Sequence, residues 1–155
     1  MKIIFDILEK NIRINKCLNI HPFKKAVYNE DNLTLYFLPP DLSKDSRFYG
    51  APYSGNALTS TESGIPVKTI TIDSLNISLP ISFIKVDIQG ADLFAMQGAK
   101  ETILKYKPAI IFEFEQPIQD EFKTSFNDYV EFVKSINYKF AEIILGMNYL
   151  IVPND

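Results

Sequence analysis

Residues 81–115 read ISFIKVDIQGADLFAMQGAKETILKYKPAIIFEFE, and this stretch decides the fold. An apolar, β-branched run from Ile81 to Val86 stops at Asp87, and Gln89-Gly90 makes a tight turn. Leu93, Met96, Ala99 and Ile103 then recur every three or four residues, the spacing of one helix face. Pro108 forbids further helix, and Ala109 to Phe112 begins a second apolar run that ends in Glu113-Phe114-Glu115. Strand, turn, helix, strand predicts a βαβ unit with a right-handed crossover. Two nearly continuous apolar strands suit a parallel sheet covered on both faces. Asp87, Glu113 and Glu115 fall at the carboxyl ends of these strands, the edge where open α/β sheets place ligands.

Outward from this unit, the N-terminal side alternates helix and short strands. Residues 2–16 predict a helix with Ile4, Ile7, Leu8 and Ile12 on one stripe. Residues 23–28 and 33–38 predict an antiparallel strand pair joined by the turn-forming Asn29-Glu30-Asp31-Asn32. Residues 39–66 are rich in Gly, Pro, Ser and Asn and keep no period. A loop of this length is either a binding loop or a surface excursion. Val67 to Ile72 alternates as a strand. On the C-terminal side, 116–123 is a polar connection and 126–136 a helix. Residues 138–144 and 147–152 predict a hairpin around Leu145-Gly146. The fold class expected is α/β, a mixed sheet closed by a C-terminal antiparallel hairpin, within a single domain spanning 1–155.

Composition narrows the function classes. Hydrophobic residues make up 46% of the 155, enough for a core, and the net charge of −3 with no dense Lys/Arg cluster argues against nucleic acid as partner. Cys17 and His21 are the only residues of their kinds, so no internal disulfide, thiolate metal site or two-His metal site can form within one chain, and no metal site is expected. No apolar run approaches the roughly 20 residues that cross a bilayer, and no signal-peptide pattern opens the chain, so no membrane insertion and a cytoplasmic location are expected.

Among the polar residues, Asp87 is the candidate catalytic group, a base or an orienting partner for a hydroxyl; helix N-capping is its structural alternative. Glu113 and Glu115 alternate with Phe112 and Phe114 and so share a face, as substrate-binding acids or a solvated strand end. Asp92 falls in a first helical turn, where the helix dipole favours a negative charge. Asp73 reads as a turn-stabilising residue, His21 as a surface residue and Cys17 as a small hydrophobe. Tyr49 and Tyr53 either line a pocket or pack within their loop.

The same residues resemble a family. IKVDIQGADLFAMQGAKETILKYKPAIIFEFE resembles the K-I-D-V-E-G-A-E … L-x-G-A … P … E signature of the FkbM-family methyltransferases. LEKNIRINKCLNI followed by KKAV resembles its L-x-x-N-I-x-x-N segment, VKTITIDSL its T-L-D-S-L strand, and the loop around Ser54-Gly55-Asn56 its variable Gly/Ser loop. The resemblance implies a Rossmann-like sheet in the order 3-2-1-4-5-7-6 and methyl transfer from S-adenosylmethionine to a hydroxyl of a small molecule or glycan. It adds Asn56 to the substrate-binding candidates. The matching residues supply strands 3 to 7. The family's first two strands, with the Gly-rich turn D-x-G-A-N-x-G and the ribose-binding acid, find no counterpart, so the cofactor-binding residues are unknown and the domain reads as truncated at its N-terminus. The family's Glu in D-V-E-G is Gln89 here. A methyltransferase impaired alone, or a non-catalytic binding or assembly module derived from one, are the two functions implied. In both, strand 4 becomes an apolar edge, resolved by a missing N-terminal segment, a rearranged sheet, or another chain such as a second copy.

Overall fold

A computed structural model describes residues 2–37, 58–59, 62, 64–119, 122–144 and 147–154. The elements in chain order are α1 (Lys2–Ile14), β1 (Ala26–Val27), β2 (Thr34–Phe37), β3 (Leu58–Thr59), β4 (Ile65–Ile70), a 3-10 turn (Asp73–Leu75), β5 (Phe83–Val86), α2 (Asp92–Gln97), α3 (Lys100–Tyr106), β6 (Ala109–Glu113), α4 (Gln116–Gln119), α5 (Phe126–Ser135), β7 (Tyr138–Ile144) and β8 (Asn148–Pro153). They form two four-stranded mixed sheets, ordered β1-β4-β2-β3 and β5-β6-β8-β7. The expectation of one sheet is thus corrected to two.

The second sheet follows from the central stretch. β5 and β6 pair in parallel, with Ile84 opposite Ile110 and Val86 opposite Phe112. β8 adds to β6 antiparallel and β7 closes the hairpin. Ile110, Phe112 and Ile151 are fully buried against Tyr129, Val133 and Ile136 of the α5 layer. Burial of this kind contributes about 1.5–3 kcal/mol per large apolar side chain. The capping box of Ser125 and Asp128 starts α5. Lys107, in the left-handed conformation, ends α3 just before Pro108.

The first sheet departs from expectation. β1 and β2 do not pair with each other; β4 lies between them, parallel to β1 and antiparallel to β2. The turn that was expected to close a hairpin instead wraps the end of β4. Thr69 Oγ1 donates to the Glu30 carbonyl at 2.7 Å and accepts from the Leu33 amide at 2.9 Å, while the Thr71 amide donates to Asp31 at 2.8 Å. Asn32 takes φ 64° to complete the turn. Within the expected 39–66 loop, Leu58–Thr59 is a strand, recruited by main-chain pairing with Phe37 and Tyr36. The polar connection after β6 contains the short helix α4. Helix α1 forms, with Ile7 and Leu8 of its stripe exposed and Ile12 half-buried. A contact of Lys24 Nζ over the Phe5 ring ties it to the segment leading into β1. His21 is exposed and Cys17 half-buried.

The predicted crossover helix is broken at Gly98-Ala99 into α2 and α3, and the cause is tertiary. A Cβ at Gly98 would lie 2.0 Å from the Tyr28 carbonyl oxygen, so the first sheet docks where only glycine fits. The Gly98 carbonyl accepts from the Asp73 amide at 3.0 Å. The Asp73 carboxylate accepts from the Thr102 amide at 2.8 Å and the Glu101 amide at 3.1 Å, capping α3 from a distant part of the chain. Tyr28 stacks on Phe94 and Asn29 donates to Gln97, completing the joint between the sheets. No helix among the described residues is long and apolar enough to cross a membrane.

Candidate functional site

The βαβ register decides which acids meet. Because β5 and β6 run parallel, their carboxyl ends lie side by side, and Asp87, just past β5, comes near Glu113, the last residue of β6. Between them stands Gln89, whose Nε2 donates to Glu113 Oε2 at 3.0 Å and to Asp87 Oδ1 at 3.5 Å. The bridge is possible because Gln89 and Gly90 both take positive φ, 55° and 95°. A non-glycine residue there is uncommon and strained, so the turn is held by its surroundings. Gln89, where the resembled motif has Glu, therefore takes a different role. It cannot exchange a proton, but it joins two carboxylates that would otherwise repel.

The alternation of β5 places Lys85 on the face of Asp87, and Lys85 Nζ donates to Asp87 Oδ2. The two acids consequently diverge. The Lys85 hydrogen bond holds Asp87 below the ordinary carboxylate range. Burial, and then the charges of Asp87 and Glu115, push Glu113 up. Glu115 acts on the site through charge and bridges to neither acid. Asp87 does not cap α2, whose N-cap is Ala91, so the capping alternative is overturned. Lys85 was legible as the i, i+2 partner of Asp87 and was missed.

Asp92 lies in the first turn of α2, as expected, and is fully buried there. Its Oδ2 accepts from the Gly90 amide at 3.2 Å, and its Oδ1 has no hydrogen-bond partner. Desolvation raises its pKa to about 6, against the Gly90 amide, which favours its charge. Beside it the hydroxyl of Tyr129 donates to Gln119 Oε1 at 3.2 Å, and Thr124 donates to the same oxygen at 2.6 Å. Burial and the Asp92 charge raise the Tyr129 hydroxyl beyond any physiological titration. This polar layer, packed under the surface acids, left no sequence signal because its members are spread from 92 to 129.

Asn56, Tyr49 and Tyr53 lie outside the described residues. Among the described residues no three of His, Cys, Asp and Glu converge to hold a metal ion. The carboxyl-edge cluster can accept hydrogen bonds from hydroxyls, keep one charge fixed and move a proton at the other acid.

The family model for the methyltransferase FkbM domain matches residues 6–140. No curated protein matches the chain. Part of the fold is similar to the crystal structure of methyltransferase FkbM from Methylobacillus flagellatus, with 23% identity and a TM-score of 0.41. That similarity covers 56% of this chain and spans 23% of the other.

Proposed function

This chain belongs to the methyltransferase FkbM domain family, and from that premise we propose that it forms the acceptor side of a methyl transfer from S-adenosylmethionine to a hydroxyl oxygen of a small molecule or glycan. The observation that carries this reading is the convergence of Asp87, Gln89 and Glu113 with their two carboxyls displaced in opposite directions. A group that orients a hydroxyl should stay charged, and one that takes its proton should titrate nearer neutrality. Asp87, held ionised by Lys85, suits the first task. Glu113, half-buried and raised, suits the second. Gln89 keeps the pair at a fixed separation by donating to both.

The donor supplies an electrophilic methyl, and the apolar groove between β1 and β5 does not fit it. This groove encloses about 120 Å³ and carries almost no polar lining, against the roughly 300–1,000 Å³ of small-molecule sites. No carboxylate there could pair with a ribose diol. The proposal therefore concerns the acceptor edge alone.

Amide chemical shifts of the purified chain, followed while methyl glucoside is added, test it. Shifts at Gln89, Gly90 and Glu113 that vanish in both Asp87→Asn and Glu113→Gln are the expected result. Shifts confined to other surfaces, or unchanged by either substitution, overturn the assignment.

A further inference from the structure

Among the described residues Asp92 is the one fully buried acid, and the acceptor reading gives it no task. Burying a carboxyl is costly, and its Oδ1 has no hydrogen-bond partner to offset that cost. An apolar side chain would avoid the cost, so the bond that Asp92 does make calls for a reason. Its Oδ2 reaches back two residues and accepts from the Gly90 amide at 3.2 Å.

That amide is half of the Gln89–Gly90 peptide group. A peptide group is planar, so a bond that fixes the Gly90 N–H also fixes the direction of the Gln89 carbonyl, and with it the Gln89 backbone. Gln89 and Gly90 take φ 55° and 95°, and a non-glycine residue keeps such a conformation only when it is held. Flipping this peptide would set the Gln89 carbonyl against the Asp92 carboxylate, acceptor against acceptor. Asp92 thus excludes the alternative turn. With its backbone fixed, Gln89 donates through Nε2 to Glu113 Oε2 at 3.0 Å and to Asp87 Oδ1 at 3.5 Å.

We propose that Asp92 is a positioning residue for the carboxyl-edge site: by holding the Gln89–Gly90 peptide from beneath, it keeps the Gln89 side chain between Asp87 and Glu113. That the site so positioned takes an acceptor hydroxyl rests on the reading above.

The link is read at Glu113, by carboxyl carbon shifts against pH in the intact 155-residue chain. Burial, then the charges of Asp87 and Glu115, raise the Glu113 pKa, and Lys85 and the Gln89 bond lower it. The chains compared are wild type, Gln89→Gly, Asp92→Ala and the double variant, all with Lys85, Asp87 and Glu115 in place. Glycine at 89 removes the bridging side chain and keeps positive φ open. Loss of a donor to a carboxylate raises its pKa, so Gln89→Gly should raise the proton affinity of Glu113 by about threefold or more. Asp92→Ala should shift it in the same sense, and the double variant should go no further than Gln89→Gly alone. A residue acting by charge alone gives the opposite sign, because removing a nearby negative charge lowers a carboxyl pKa. Asp92→Asn keeps an oxygen that can accept from Gly90 and should restore the wild-type titration. Asp92→Leu removes the acceptor and fills the space; it should match Asp92→Ala, and it carries the test where the alanine chain does not fold. A Glu113 left unmoved or lowered by both of these variants, or additive shifts in the double variant, overturns the inference and leaves the acceptor reading standing. A wild-type Glu113 that titrates as an ordinary glutamate overturns both.

Discussion

Asp92→Asn should make this protein more stable at neutral pH and flatten its pH dependence. A carboxyl whose pKa moves from 3.8 unfolded to about 6 folded makes ionisation cost the fold about 3 kcal/mol, at 1.36 kcal/mol for each tenfold change in proton affinity. The sign follows from proton counting. Between pH 4 and 6 the native state holds a proton that the unfolded chain has released, so stability falls as pH rises through this window. The contribution is complete below about pH 4 and lost above about pH 7. Asp87, Asp31 and Asp128 are displaced downward, so their contributions are lost only as pH falls through and below the ordinary carboxylate range. Glu113, raised, adds to the Asp92 slope with the same sign.

Asparagine preserves the shape and never ionises. Its amide group loses the charge-assisted bond from Gly90 and needs an acceptor of its own, which offsets about 1–2 kcal/mol. The net gain at pH 8 is therefore about 1–2 kcal/mol. Urea unfolding of wild type and variant at pH 5 and pH 8 is the assay, with unchanged m-values required. A variant that keeps the wild-type difference between the two pH values, or that is less stable than wild type at pH 8, refutes the reasoning and means that Asp92 is ionised and satisfied in the fold.

Gly98→Ala should cost about 1–3 kcal/mol or more, because the new methyl meets a main-chain carbonyl at 2.0 Å; thermal unfolding reads the loss, and exchange at Tyr28 should quicken as the first sheet loosens. Asp73→Ala should cost about 1 kcal/mol through loss of the α3 cap, with faster exchange at Glu101 and Thr102 but not at α2. Gln89→Glu should replace a donor with a charge between two carboxyls and raise the pKa of Glu113 further, as measured by carboxyl carbon shifts against pH. Calorimetric titration with S-adenosylmethionine should give no heat of binding up to millimolar ligand, and micromolar binding would show that the fold builds a donor pocket.

How much of this was legible depends on whether the cause was local. The β5-α-β6 unit and the closing hairpin were readable because runs such as FIKV and AIIFE need no partner to declare themselves. The meeting of Asp87 and Glu113 followed from the same reading, since a parallel crossover must bring two carboxyl ends together. The break at Gly98 was not readable. The helical period runs through it, and the carbonyl that excludes a side chain belongs to Tyr28. β1 and β2 were paired wrongly because turn-forming residues between two short strands signal a hairpin, and only Thr69 and Thr71 reveal that the turn serves a third strand.

The turn from Asp87 to Asp92 shows the same distinction within six residues. Asp87 sits at its surface, charged and held by Lys85; Asp92 lies fully buried at its base, deprived of one partner. Gln89 and Gly90 join the two levels, one by its side chain and the other by its amide. Composition marks both aspartates as acids at a strand-to-helix turn, and periodicity cannot tell them apart. What separates them is the positive φ at Gln89 and Gly90, which turns the Gln89 side chain out toward Glu113 while the Gly90 amide meets the carboxylate beneath. A substitution that restores ordinary backbone at position 89 should therefore disturb the surface pair and the buried acid together.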